Sequence, residues 1–355
     1  MEQYNLALAM LDLMPCPALL VKDGTIIHAN PAAGDLRQLV GSRFEDVLIT
    51  GRQEYRDYDS GQLNLTFQFN GQTINAAVTC TEGYQLILPE LDSENPELRA
   101  LALASQNLRS PLSDAMIVTE HFLPRGEENT ASNPHYAKIN RSLYQLQRVV
   151  SNMSDAYLYS QKPFSQMEVR CITDVMAELF ERCGALIAHT GITLTYTGID
   201  EPVYGLIDAE KLERAVENLL SNAVKFAPKN GLVDARLTRK GNMLYLTISD
   251  NGSGIRPDIR QTLFSRHLRQ PGLDDSRNGL GLGLTIARSI ATLHGGTLLM
   301  QPAKEQGTRF TMTIAIRSSE KDNFRSPILR IDYAGERDHA LMEFSEFLPS
   351  SLYER

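Results

Sequence analysis

Apolar and polar positions follow two periods along this chain. Leu98, Leu101, Ser105, Leu108, Leu112, Ala115, Thr119 and Phe122 recur at alternate spacings of three and four, which lines them up as one stripe of a helix. Asp92-Ser93-Glu94-Asn95 followed by Pro96 supplies the start signal. Tyr136, Ile139, Leu143, Leu146, Val150, Met153 and Tyr157 keep the same rhythm in a second helix, and the connector 123–134 is rich in Gly, Asn, Glu and Pro. One narrow seam per helix cannot be buried within a lone hairpin. Two copies would make a four-helix bundle, so residues 91–162 predict a homodimer; the alternative is a monomeric hairpin packed on the rest of the chain.

On either side of the hairpin the pattern changes. Residues 1–90 open with a helical stretch, Tyr4 to Leu13. Short strands follow at Ala18–Val21 and Thr25–His28 around a Lys22-Asp23-Gly24 turn, then Asn30-Pro31, a helical piece, and strands near 63–69, 73–79 and 84–88. Beyond residue 162, a helix is predicted over Ile172–His189, a strand over Ile192–Thr197, a helix over Asp208–Phe226 and an alternating strand over Leu244–Ile248. In residues 318–355, Ile328-Leu329-Arg330-Ile331 reads as an added strand, and Leu341, Phe344 and Leu348 as a short apolar helix face. That apolar content favours docking on the chain's own domains over a partner-binding tail. The whole is a multidomain α+β chain divided at 1–90, 91–162, 163–317 and 318–355.

Composition narrows the function. The chain's 355 residues have room for two or three domains, and a net charge of −8 argues against a nucleic-acid partner. The longest apolar stretches fall far short of a membrane span and no signal peptide opens the sequence, so a cytoplasmic location is expected. Cys16, Cys80, Cys171 and Cys183 show no metal-binding spacing and read as free buried thiols in a reducing compartment. His28 and Cys80 could be ligands, but a lone His on a strand is more often structural.

Three clusters carry chemistry. Asp250-Asn251-Gly252-Ser253-Gly254 closes the predicted strand, and glycines so spaced permit positive φ or close backbone approach. Gly279, Gly281 and Gly283 precede a helix whose positive end points at whatever they cradle. Asn218, Asn222 and Lys225 fall at i, i+4 and i+7, so one helix face presents two amides and an ammonium. An amide oxygen can complete an Mg²⁺ shell, and a lysine one turn on can meet phosphate oxygens.

In this order, NLLSNAVKF, DNGSGI and GLGLGL resemble the ATP-binding domain of bacterial sensor histidine kinases, a branch of the GHKL ATPases. His294-Gly295-Gly296-Thr297 and Gly307-Thr308-Arg309-Phe310 match that family's closing strands, and the resemblance covers residues 165–317. It implies an α/β sandwich that binds ATP and Mg²⁺. Asn222 would be the main metal ligand with Asn218 in support, and Lys225 would meet phosphate. Asp250 would accept a hydrogen bond from the adenine amine, Gly252 and Gly254 would admit the base, and Phe226 would line its site. Gly279, Gly281 and Gly283 would hinge a phosphate lid, with Arg266, His267 and Arg269 either reaching the γ-phosphate or forming a solvated surface. Residues 1–90 resemble a small PAS sensor domain, which carries an Asn at the position of Asn30; it would be a ligand or dimerisation module, or a packing domain that binds nothing.

Ala104-Ser105-Gln106-Asn107-Leu108-Arg109-Ser110-Pro111-Leu112 resembles the same family's phosphoacceptor box, with Gln106 at the histidine position and Asn107 at that of the adjacent acid. A glutamine amide is no nucleophile and asparagine no base at neutral pH. Gln106, one residue past the Ser105 seam position, should be exposed. His121 lies roughly 22 Å further along the helix at 1.5 Å per residue, too far to substitute. The hydrolases of the wider superfamily carry a water-activating Glu four residues before the metal-binding Asn; Asn218 stands there, and Glu217 faces about 100° away. The resemblance therefore implies a pseudokinase or regulatory scaffold that works with another histidine kinase or a response regulator. The alternative is an active kinase that phosphorylates another site or a partner protein.

Overall fold

The fold is seen in a computed structural model that describes residues 8–81, 83–90, 96–122, 134–160, 166–254, 282–303, 306–317 and 338–353. The N-terminal strands are β1 (Leu19–Lys22), β2 (Thr25–Ala29), β3 (Gln62–Phe69), β4 (Gln72–Thr81) and β5 (Tyr84–Glu90). They pair antiparallel in the order β2-β1-β5-β4-β3. Phe44, wholly buried, sets its ring edge-on to Tyr55 and Phe67 at 5.5 Å and fills the space under this sheet. Asn30 is buried and ties the entry segment together. Its Oδ1 accepts from the Ala18 and Ala33 amides, and its Nδ2 donates to the carbonyls of Leu11, Met14 and Cys16. His28 pairs with Asp12 at 2.8 Å, so it serves structure. Of the thiols expected to be buried, Cys183 is buried and Cys16 is exposed.

The hairpin is formed by α1 (Pro96–Phe122), which continues through Pro111, and α2 (Pro134–Ser160). A single chain buries part of the expected seam and leaves the rest open. Within one chain α1 buries Ala102, Ser105 and Met116, and α2 buries Ala137, Asn140, Tyr144, Val150 and Met153. Leu108, Ile139 and Leu146 of the expected seam remain 48, 49 and 54 % exposed, beside exposed Leu103, Ile117, Val118, Val149 and Leu158.

After the hairpin come β6 (Glu168–Cys171), α3 (Ile172–Ala188), β7 (Thr193–Thr197), β8 (Tyr204–Ile207), α4 (Ala209–Phe226), β9 (Leu232–Lys240) and β10 (Met243–Asp250). Past the undescribed 255–281 come α5 (Gly283–Leu293), β11 (Leu298–Pro302) and β12 (Thr308–Ala315). Strand β10 alternates buried and half-buried positions, so one face meets the helices that pack on this sheet. The last helix, α6 (His339–Glu343), lies against α2 and α4 with Phe344 and Leu348 wholly buried, as the apolar spacing predicts for docking on the chain's own domains. The predicted strand 328–331 lies outside the described residues.

The pattern did not reveal that the two sheets are one. Strand β3 pairs antiparallel with β11, matching Asn64 to Leu298 and Gln62 to Met300, which makes, among the described residues, a ten-stranded sheet in the order β2-β1-β5-β4-β3-β11-β12-β10-β9-β7. Gly61 permits the junction: a Cβ there would lie 2.1 Å from the Met300 carbonyl oxygen. Arg288 of α5 also grips Glu90, at the end of β5, with two nitrogens at 2.6 and 3.0 Å.

Candidate functional site

Helix α4 starts where Asp208 caps it, accepting from the Lys211 amide. Its apolar residues enter the core and leave Asn218, Asn222 and Lys225 on another flank. Asn218 is buried and donates to the Arg214 carbonyl at 2.8 Å, and half-buried Asn222 donates to the Asn218 carbonyl at 3.0 Å. That bond uses the Asn222 amide nitrogen and leaves its oxygen for another partner. Asn218 also touches the glycine-rich stretch, because a Cβ on Gly283 would lie 2.5 Å from its Oδ1. The N-terminus of α5 and the amide face of α4 therefore meet. Lys225 Nζ lies 5.6 Å from the ring centre of half-exposed Phe226.

Asp250 closes the site from β10. It is buried, and its Oδ1 accepts from the Gly252 amide at 2.8 Å and the Thr308 amide at 3.3 Å. Burial raises its pKa despite those two donors. Two glycines allow the backbone to close around it. A Cβ on Gly252 would sit 2.1 Å from the Phe226 carbonyl oxygen, and one on Gly307 2.0 Å from the Asp250 carbonyl oxygen. Gly254 has φ +73°, in the left-handed region. The α4 face thus meets the start of α5 at Asn218 and the Asp250 turn at Phe226. Gly279, Gly281 and the segment 263–269 lie outside the described residues.

The structure shows a part for His294 that its motif did not reveal. It is buried, its Nδ1 faces the Ile290 carbonyl at 2.8 Å, and its Nε2 faces the Asp208 amide at 3.1 Å. A carbonyl needs a donor and an amide an acceptor, so the ring is neutral with its proton on Nδ1. It ties the cap of α4 to the end of α5. Burial lowers its pKa below the ordinary 6.5. On acidification the unfolded chain takes up this proton first, so stability should fall as pH drops below about 6.5. Thermal melts from pH 7 to pH 5 should show that slope, and His294→Gln, which keeps one donor and one acceptor, should flatten it.

Residues 207–318 match the family described as histidine kinase-, DNA gyrase B-, and HSP90-like ATPase. Sensor histidine kinase RppB of Synechocystis sp. is 29 % identical over 240 residues, covering 65 % of this chain and 51 % of the relative. The uncharacterised sensor-like histidine kinase R01002 of Rhizobium meliloti is 31 % identical over 235 residues, covering 62 % of this chain and 43 % of the relative. Residues 207–318 thus carry a domain of that ATPase family, and the chain is similar to sensor histidine kinases. It spans about half the length of these curated relatives. The crystal structure of full-length ShkA in complex with AMPPNP shares the fold over 62 % of this chain and 47 % of its own, at 20 % identity and a TM-score of 0.50.

In this chain, Gln106 and Asn107 are both exposed on α1. Arg109, Ser113 and Met116, further along the same helix, line a cavity of about 480 Å³ with Glu213, Arg214 and Glu217 of α4. Glu217 is buried and bonded by Arg182 at 3.2 Å, and burial pushes its carboxyl up to about 8. It belongs to this flank of α4, away from the Asn222 face. Among the described residues no group of three or more His, Cys, Asp or Glu could hold a metal ion, and no helix is long and apolar enough to cross a membrane.

Proposed function

We propose that this chain is a signalling protein that binds Mg-ATP and does not phosphorylate itself at the family's usual position, acting as a pseudokinase or regulatory scaffold. The observation that carries the reading is a contrast within one chain. Asn218, Asn222 and Gly283 lie together, with the Asp250 turn packed against the end of the same helix at Phe226, while Gln106 and Asn107, in the register of the acceptor box, are exposed and unreactive. Asp250 would accept from the adenine amine and Phe226 would pack against the base. The free amide oxygen of Asn222, with Asn218 beside it, would orient the metal, and Lys225 would hold phosphate. Bound Mg-ATP would supply the charge at the phosphate end that a site without a carboxylate cluster lacks. Calorimetry with a non-hydrolysable ATP analogue and Mg²⁺ should show saturable binding; none at millimolar nucleotide would refute the reading.

Residues 1–90 act in this proposal as a PAS-like module. The order β2-β1-β5-β4-β3 and the place of Asn30 support it, and the side-chain filling around Phe44 favours a packing role. The hairpin would pair with a second copy through its exposed apolar positions, in the cytoplasm, and the assembly would act on another histidine kinase or a response regulator. Because Leu146 is about half exposed in the single chain, Leu146→Asp should leave the protomer folded yet bury a charge in the dimer, at a cost of several kcal/mol. Light scattering should give a dimer for the unmodified chain at micromolar concentration and a monomer for the variant. An unmodified chain that is monomeric would remove the bundle.

A further inference from the structure

The segment 338–353 does more than cover apolar surface. Phe344, Leu348 and Tyr353 are buried, and Glu343 is buried with them. The Glu343 carboxylate takes Arg148 of α2 at 2.9 Å and Arg214 of α4 at 3.1 Å, so one side chain bonds the hairpin to the ATP domain. The same two guanidiniums reach across directly, Arg148 to Ser221 of α4 at 3.0 Å and Arg214 to Asn152 of α2 at 2.6 Å. Helix α2 grips the segment's backbone as well. Asn140 donates to the Tyr353 carbonyl, Arg141 to those of Ser345 and Glu346, and Gln145 to that of Ser345. The Tyr144 and Tyr353 rings meet edge to face at 5.1 Å. Positions 140, 141, 144, 145 and 148 share one face of α2, so two turns of that helix are committed to this segment.

We propose that residues 338–353 form a releasable strap that locks the ATP domain onto α2 and occupies a face of α2 made to bind an acidic segment with an aromatic end. Helix α6 has five residues, too few to persist alone, so the segment gains its structure by docking. Residues 318–337 join it covalently to the rest of the chain. Docking is therefore an intramolecular equilibrium. Its consequence for signalling rests on the nucleotide reading above: the strap fixes the flank of α4 that carries Arg214 and Ser221, roughly 100° around the helix from the Asn222 face.

The test uses the full chain, with a specific protease site placed within 318–337 so that the protein folds with the strap in place before it is cut. Native mass spectrometry after the cut should show the C-terminal fragment retained, then lost on dilution. A fluorescent peptide of residues 338–353 should bind the emptied chain saturably and leave the uncut chain unlabelled. Glu343→Gln in the peptide, or Arg148→Ala in the chain, should speed its loss about 30-fold or more, as expected when one member of a buried ion pair is removed. A peptide that fails to bind an emptied chain whose circular dichroism is native, or that binds cut and uncut chains alike, overturns the proposal. So does a loss rate unmoved by both substitutions. Calorimetry with nucleotide on the same cut protein reports on the pocket separately, and a failed pocket leaves the peptide results standing.

Discussion

The Gln106→His, Asn107→Glu double variant is expected to acquire acid-labile phosphate from γ-labelled ATP, and the single Gln106→His variant to do so far more slowly. The histidine supplies the missing nucleophile at an exposed position of α1. Asn107 would still offer no carboxylate to take the imidazole proton. A positioned general base contributes about 10²- to 10⁴-fold, so the two variants should differ in rate by a factor in that range. A double variant that binds nucleotide yet stays unlabelled would show that the domain geometry was lost along with the acceptor. In this conformation α1 meets the acidic flank of α4 through Arg109, Ser113 and Met116, so the geometry is a separate term.

Substitutions of Asp250 should separate nucleotide recognition from folding. Asp250→Asn keeps an amide oxygen to accept from Gly252 and Thr308, so the turn should hold. It places an NH₂ group where the proposed adenine amine needs an acceptor. A hydrogen bond to a charged group contributes about 1.5–3 kcal/mol, so affinity should fall about 10- to 150-fold with little change in melting temperature. Asp250→Ala should lose the same affinity and also strand two buried amides, at a further cost to stability of about 1–3 kcal/mol each. Calorimetry and thermal melts read the two effects independently. An Asp250→Asn variant with unchanged affinity would take Asp250 out of the base site.

Local period and local motif account for what the sequence disclosed. Helix α4, strand β10 and the hairpin helices each lie within one window, and the Asn218, Asp250 and Gly283 motifs mark where those windows meet. The joining of β3 to β11 brings together edges more than two hundred residues apart, and neither Gln62–Asn64 nor Leu298–Met300 carries a signal for the other. The seam expectation concerned burial between two copies, and in the single chain Leu108, Ile139 and Leu146 stay exposed. Apolar spacing gave no sign that Asn140 and Tyr144 would also be buried, because their partners lie in the C-terminal strap. No local motif marks Arg148, Arg214 and Glu343 as partners, and only the fold shows them paired away from water. His294 was visible as part of a motif, but its bridge between Asp208 and Ile290 was not.

The central claim, a working nucleotide pocket without an acceptor, meets its most direct test in the unmodified full chain incubated with γ-labelled ATP and Mg²⁺ at saturating nucleotide. Protein that has bound nucleotide but carries no phosphate, acid-labile or acid-stable, is the result expected. A covalent label that persists in Gln106→Ala would contradict it and establish an acceptor elsewhere in the chain.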